Sequence, residues 1–198
     1  MRMNSLLLLD PASYRRTRWK NDGGWTTELA RSDDGRGDFR WRISIAEIER
    51  DGPFSAFPGV ERDLLLLEGS GIELDIDARP PLRLARRFER AHFAGEAAVQ
   101  CRLLAGATRD FNVMARRDIV AAEVMARPLV GSMVIFPEAG VEWFVHLLAG
   151  HARARRGEDE RTLAAADSLQ FDFREPTAAR VVLDGAGEAV LVKFTPRC

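Results

Sequence analysis

The stretch Phe39-Arg40-Trp41-Arg42-Ile43-Ser44-Ile45-Ala46 alternates large apolar residues with polar or small ones. Successive strand side chains point to opposite faces, so the pattern predicts a strand with Phe39, Trp41, Ile43 and Ile45 in the core. Arg40, Arg42, Ser44 and Ala46 then form a polar face with gaps. Moving outward, Gly-Pro-Phe-Ser-Ala-Phe-Pro-Gly at 52–59 reads as a turn. It is followed by apolar Leu64 to Leu67, a Gly69-Ser70-Gly71 corner and alternating Ile72, Leu74 and Ile76. These last segments read as a hairpin with a glycine-rich corner. Most other apolar segments are equally short, rich in Val, Ile, Leu and Phe, and punctuated by Gly, Pro or Asp, which predicts an all-β chain.

The second half offers a comparable arrangement. Phe144 to Leu148 precede Ala149-Gly150, read as a turn, and His151 to Arg156 read as a solvated strand. Sliding Leu66-Leu67-Glu68-Gly69 by about 81 positions superposes it on Leu147-Leu148-Ala149-Gly150. Each segment is followed by a small-residue turn with an acid, Gly95-Glu96 and Ala166-Asp167, and then by another apolar strand, 99–104 and 169–173. The economical reading is a duplicated small β-barrel, with an N-terminal barrel over about 1–117 and a C-terminal barrel over about 118–198, packed as one compact unit. The Gly131, strand, Pro137, Gly140 cadence resembles the second motif of the cupin superfamily, with one residue too many between Pro137 and Gly140. Exposed β edges, together with an apolar C-terminal strand at Ala189 to Phe194, suit a homodimer.

The 198 residues suffice for one domain with a full core or two small lobes. Lys+Arg at 29 against Asp+Glu at 30 leaves a net charge of -1, which argues against nucleic acid as a partner. Every basic residue except Lys20 and Lys193 is arginine. Cys101 and Cys198 form neither a disulfide framework nor a paired metal-ligand spacing, which fits a reducing cytoplasm. Leu6 to Leu9, stopped by Asp10 and Pro11, is shorter than the roughly 7–15 apolar residues of a signal peptide. No run approaches the roughly 20 residues of a membrane span. A cytoplasmic protein without a membrane partner is expected.

Three histidines, His92, His146 and His151, without a His-x-His pair, are too few for a cupin metal site, which needs about three protein ligands. No metal and no cofactor are therefore expected. His146 and His151 read as a half-buried strand histidine and an exposed one. Nucleotide-binding glycine loops and the Gly-x-Ser-x-Gly nucleophile elbow are absent. Cys101 sits in an apolar strand and reads as a small packed hydrophobe.

Three polar, glycine-marked stretches interrupt the β pattern. They are Arg18-Trp19-Lys20-Asn21-Asp22-Gly23-Gly24-Trp25-Thr26-Thr27-Glu28; Arg42 to Ala46 running into Gly52-Pro53-Phe54-Ser55-Ala56-Phe57-Pro58-Gly59-Val60-Glu61-Arg62; and Gly106-Ala107-Thr108-Arg109-Asp110-Phe111-Asn112-Val113-Met114. Together they resemble the Trp-Lys-Asn-Gly-Gly-Gly-x-Thr, Pro-Phe-Ser-x-Phe-Pro-Gly-x-x-Arg and Asp-Phe-Asn-x-Met signatures of the HutD/Ves family, in order, over roughly residues 5–195. Asp22 stands where the family usually has the first glycine, and Thr27 where arginine is common before Glu28. The resemblance implies a metal-free bicupin with a role in sensing or limiting histidine breakdown, and ligands such as formylglutamate, formiminoglutamate or urocanate. Ves-like members are linked only to stress or cold response, and no catalytic activity is established for either branch.

A small acid needs cations of fixed geometry, and an arginine fork grips a carboxylate with two hydrogen bonds. Arg62, after the Pro58-Gly59 turn, is the first candidate clamp; Arg42, beside Ser44 and Ala46, is the second. Lys20 adds charge, Asn21, Asn112 and Asp110 add polar contacts, and Phe57 and Phe111 add an apolar wall. Each has a plain structural alternative: an Arg62–Asp110 bridge, Asn21 stabilising its own turn, and Trp19, Trp25 and Met114 as packing. Two rival functions remain open. One is a metal-free enzyme using Glu28 or Asp110 as a general base. The other is a protein-docking face made by the arginine-rich strands at 83–90 and 151–156.

Overall fold

The computed structural model describes residues 5–35, 37–77 and 79–197, so Cys198 lies outside the described residues. The chain divides into an N-terminal unit, residues 14–120, and a C-terminal unit, residues 5–13 with 121–197.

In the N-terminal unit, β2 (Arg15–Arg18), β3 (Gly24–Asp33), β4 (Phe39–Ile48), β11 (Thr108–Arg116), β6 (Val60–Glu68) and β9 (Arg90–Ala94) form a sheet in that order. All its pairings are antiparallel. A smaller sheet runs β5 (Gly52–Pro53), β10 (Val99–Leu103), β7 (Ile72–Ile76), β8 (Leu82–Leu84). The core between them joins Ala46, Ile48, Leu64 and Leu66 of the large sheet to Ile72, Leu74, Val99 and Cys101 of the small one. The expected hairpin at Gly69-Ser70-Gly71 is not formed, because β6 and β7 belong to different sheets. That corner carries the chain across the sandwich, which a sequence pattern of two apolar runs around a glycine turn cannot distinguish from a hairpin.

The expected alternation of β4 holds. Phe39, Trp41, Ile43 and Ile45 are buried on one face, while Arg42, Ser44 and Ala46 border a cavity on the other.

In the C-terminal unit the sheet order is β1 (Leu7–Leu9), β15 (Ser168–Phe173), β13 (Val141–Arg156), β16 (Val181–Pro196), β12 (Val120–Ile135), with β14 (Asp159–Ala164) also on β13. Its core includes Val145, Leu147, Leu163, Leu169, Phe171 and Leu191. Two expectations change here. The N-terminal strand pairs through Leu8 with Leu169, so the start of the chain belongs to the C-terminal unit. Ala189 to Phe194 is a strand as expected, and β16 lies inside the sheet between β13 and β12. Ala149-Gly150 is no turn, because β13 continues through it with a register shift between Leu147 and Ala149. At that bulge Gly150 and Gly187 have φ of 89° and 147°. A Cβ on Gly187 would lie 1.9 Å from the Ala149 carbonyl oxygen. Only glycine permits so close an approach at positive φ.

The fold is all-β and cupin-like, with open sandwich sheets in place of closed barrels. Among the described residues no helix is long and apolar enough to cross a membrane.

The bulge yields a test in the C-terminal unit. Gly187→Ala should lower unfolding stability by about 2 kcal/mol or more, read as a lower midpoint in urea. An unchanged midpoint would show that the strands can part there without loss.

Candidate functional site

The inner face of the large N-terminal sheet changes character along its length. On β4 the inward residues run Arg42, Ser44, Ala46, Ile48, and on β6 they run Arg62, Leu64, Leu66. Antiparallel β11 runs the other way, setting Met114 against Arg42 and Arg62, Asn112 against Ser44 and Leu64, and Asp110 against Ala46 and Leu66. One end of the face is therefore polar and the other apolar. The small sheet packs on the apolar end. The polar end opens into a cavity of about 700 Å³, walled by the 53–57 loop and the Trp19-Lys20-Asn21 turn.

Arg62 forms the floor. It is 8% exposed and its guanidinium carbon lies 5.2, 5.8 and 5.1 Å from the ring centres of Phe54, Phe57 and Phe93. Its Nε and Nη2 donate to Asn112 Oδ1 at 3.3 and 3.0 Å. Burial, and then the nearby charge of Arg42, push Arg62 down to about 10, so it remains cationic at neutral pH. Among the described residues no carboxylate pairs with it. Arg42 differs, donating from Nε to Glu28 Oε2 at 2.5 Å.

Of the residues expected in the site, the structure brings Lys20, Asn21, Arg42, Phe57, Arg62 and Asn112 to the cavity. Asp110 and Phe111 are not among its lining. Phe111 points to the opposite face of β11 and is fully buried. Asp110 shares the face of Asn112, but the antiparallel register carries it to the apolar end. The alternative bridge to Arg62 does not form; Asp110 Oδ2 accepts from Thr108 Oγ1 at 2.8 Å, and its Oδ1 has no hydrogen-bond partner among the described residues. Burial pushes this carboxyl up to about 7, against a smaller opposing effect of the Thr108 hydrogen bond. The Cys101 thiol is pushed up to about 12, by burial first and then by Asp110 and Asp51.

The Trp19 turn is held locally. Asn21 Oδ1 accepts from Gly23 N at 3.0 Å, so Asn21 both braces its turn and lines the cavity. Gly24 lies against β4 so closely that a Cβ would stand 2.2 Å from the Glu47 carbonyl oxygen. Asp22 takes φ 53° in place of the usual glycine, a conformation aspartate tolerates better than most residues. Its carboxylate is exposed and receives Arg18 Nε at 3.4 Å, so the departure adds an ion pair at the rim. Trp19 lines the cavity, donates from Nε1 to Thr26 Oγ1 at 2.8 Å and meets Phe54 edge to face at 6.3 Å. Trp25 packs beneath Arg16 and Arg18.

Phe54, Phe93 and Thr26 were not singled out as site residues. Phe54 sits in the same motif as Phe57 and was legible. Phe93 enters only because β9 pairs Phe93 with Arg62, a register no local pattern announces.

The lining contains four cationic side chains, Arg18, Lys20, Arg42 and Arg62, and no carboxylate, imidazole or thiolate. Such a donor set does not fit a metal cation. Among the described residues no cluster of His, Cys, Asp or Glu is placed to hold one.

The HutD family model matches residues 11–191. The chain belongs to the HutD family. It is 45% identical over 113 residues to an uncharacterised 21.2 kDa protein in the hutC 3′ region of Pseudomonas putida, a match covering 57% of this chain and 59% of that protein. It is 39% identical over 107 residues to protein Ves of Citrobacter koseri, covering 54% and 56% respectively. The chain thus spans less than two thirds of the length of these relatives. HutD from Pseudomonas fluorescens, determined in a formate condition, superposes with a TM-score of 0.82 at 29% identity, covering 98% of this chain and all of that one. A bacterial pirin from Escherichia coli, in complex with nickel(II), reaches a TM-score of 0.68 at 11% identity over 98% of this chain and 100% of its own, which shows a shared fold alone.

Asp110 yields a pH test. An unfolded aspartate titrates near 3.9 and the native one near 7, so between about pH 4 and 7 the native state holds a proton the unfolded state has lost. The stability this proton lends is full below about pH 4 and is lost as pH rises through 7. Asp110→Asn should therefore gain on the natural chain as pH rises from about 4 to 7, by on the order of a few kcal/mol, and level off above. Urea midpoints across that range check it, and a constant difference would refute the assignment.

Proposed function

We propose that the N-terminal cavity binds a small acidic metabolite of histidine breakdown, of the formylglutamate, formiminoglutamate or urocanate type. Binding occurs without turnover, in the cytoplasm, and serves a regulatory role in histidine utilisation. The observation that carries this reading is Arg62, a buried cation with no carboxylate partner among the described residues. An unpaired buried charge is costly, and a ligand carboxylate entering the cavity removes that cost. Lys20, also without an ion pair among the described residues, supplies a second charge toward a dicarboxylate. Phe54 and Phe57 cover the carbon chain, and a cavity of about 700 Å³ has the size of a small-molecule site.

The rival readings fit less well. Of the two acids considered as general bases, Glu28 is occupied by Arg42 and Asp110 is closed into the apolar end of the sheet. In the arginine-rich segments, Arg86 pairs with Glu89, Arg90 with Asp63 and Arg153 with Glu160. Those three charges are matched at home.

Thermal shifts of the purified protein against formate, formylglutamate, formiminoglutamate, urocanate and glutamate test the proposal. A ligand at 100 times its Kd should add about 2.7 kcal/mol of stability, and Arg62→Ala should abolish the gain. A flat response to the whole panel, or an undiminished shift in Arg62→Ala, would retire it.

A further inference from the structure

The residue that holds Arg62 is neutral. Arginine carries only donors, so Asn112 must present its carbonyl oxygen, and it accepts from both Nε and Nη2. Its amide nitrogen is thereby turned to Ser44 Oγ at 3.4 Å. Phenylalanine rings cover the flat sides of the guanidinium. What remains among the described residues is the outer edge of the fork, Nη1 and the second Nη2 proton. An incoming anion must therefore meet Arg62 end-on.

An aspartate at position 112 would have the same shape, accept the same two hydrogen bonds and neutralise the charge. The nearest acid on this strand face is Asp110, about 7 Å further along, at the apolar end of the sheet.

We propose that Asn112 is a positioning residue that fixes the Arg62 fork by hydrogen bonds while leaving its charge uncompensated, so that the counter-ion must come from the ligand. This deepens the anion reading and rests on it: Asn112 acts through Arg62 and selects an anion over a neutral ligand.

The test combines affinity and stability in Asn112→Asp, Asn112→Ala and Arg62→Met, singly and paired, with formate and formylglutamate as probes. In Asn112→Asp the Kd for formylglutamate should rise at least about tenfold, as expected when a desolvated charge pair is already satisfied, while the thermal midpoint does not fall. Asn112→Ala, which loosens the fork without neutralising it, should lose clearly less affinity. Against the Arg62→Met background, Asn112→Asp should lower the midpoint by about 2 °C or more relative to its effect in the natural chain.

Binding by Asn112→Asp within twofold of the natural chain would overturn the proposal. So would an equal loss in Asn112→Ala, or a loss that only tracks a falling midpoint. If the natural chain binds neither probe, the metabolite reading fails, and the paired variants still decide the Asn112 assignment: equal effects of Asn112→Asp in both backgrounds would refute it.

Discussion

Removing a guanidinium from water without giving it a carboxylate is costly, and the N-terminal unit is arranged around having done so at Arg62. Three phenylalanines shield its faces and one asparagine oxygen takes two of its protons. These partners stabilise a cation, but none neutralises it. The remaining field points into the cavity, where Lys20 and the Glu28-paired Arg42 share the lining. A site of this kind attracts anions through charge left over from folding.

The polarity gradient across the large sheet makes that arrangement affordable in structural terms. The apolar end supplies the contacts that hold the two sheets together, so the polar end need not contribute packing and can remain open. Asp110 marks the transition between them. It sits on the same strand face as Asn112, yet at the packed end its carboxyl has one oxygen unpartnered among the described residues and is pushed up to about 7. Two residues of separation along β11 thus distinguish a group facing the cavity from one enclosed by the core.

The shared fold with a nickel-bound pirin shows how little the architecture says about chemistry. In this chain the cavity lining is cationic, and the donors a metal requires are absent from it. The HutD identity rests on the match over residues 11–191, and the direction of the chemistry rests on which side chains the sheet presents.

The all-β class and the two faces of β4 are legible in the chain alone, as are the motifs that supply Lys20, Asn21, Arg42, Phe57, Arg62 and Asn112 to the cavity lining, because strand alternation and turn-forming motifs are local signals carried by neighbouring residues. Pairing between distant strands set the rest. Gly69 to Gly71 crosses between sheets, and Ala149-Gly150 became a bulge because Gly187 approaches from another strand. The N-terminal strand joined the C-terminal unit through Leu169. Phe93 reached Arg62, and Asp110 was carried away from it, through pairings with strands distant in the chain. Register between such strands is set by which whole faces can be buried together, and no single segment contains that information.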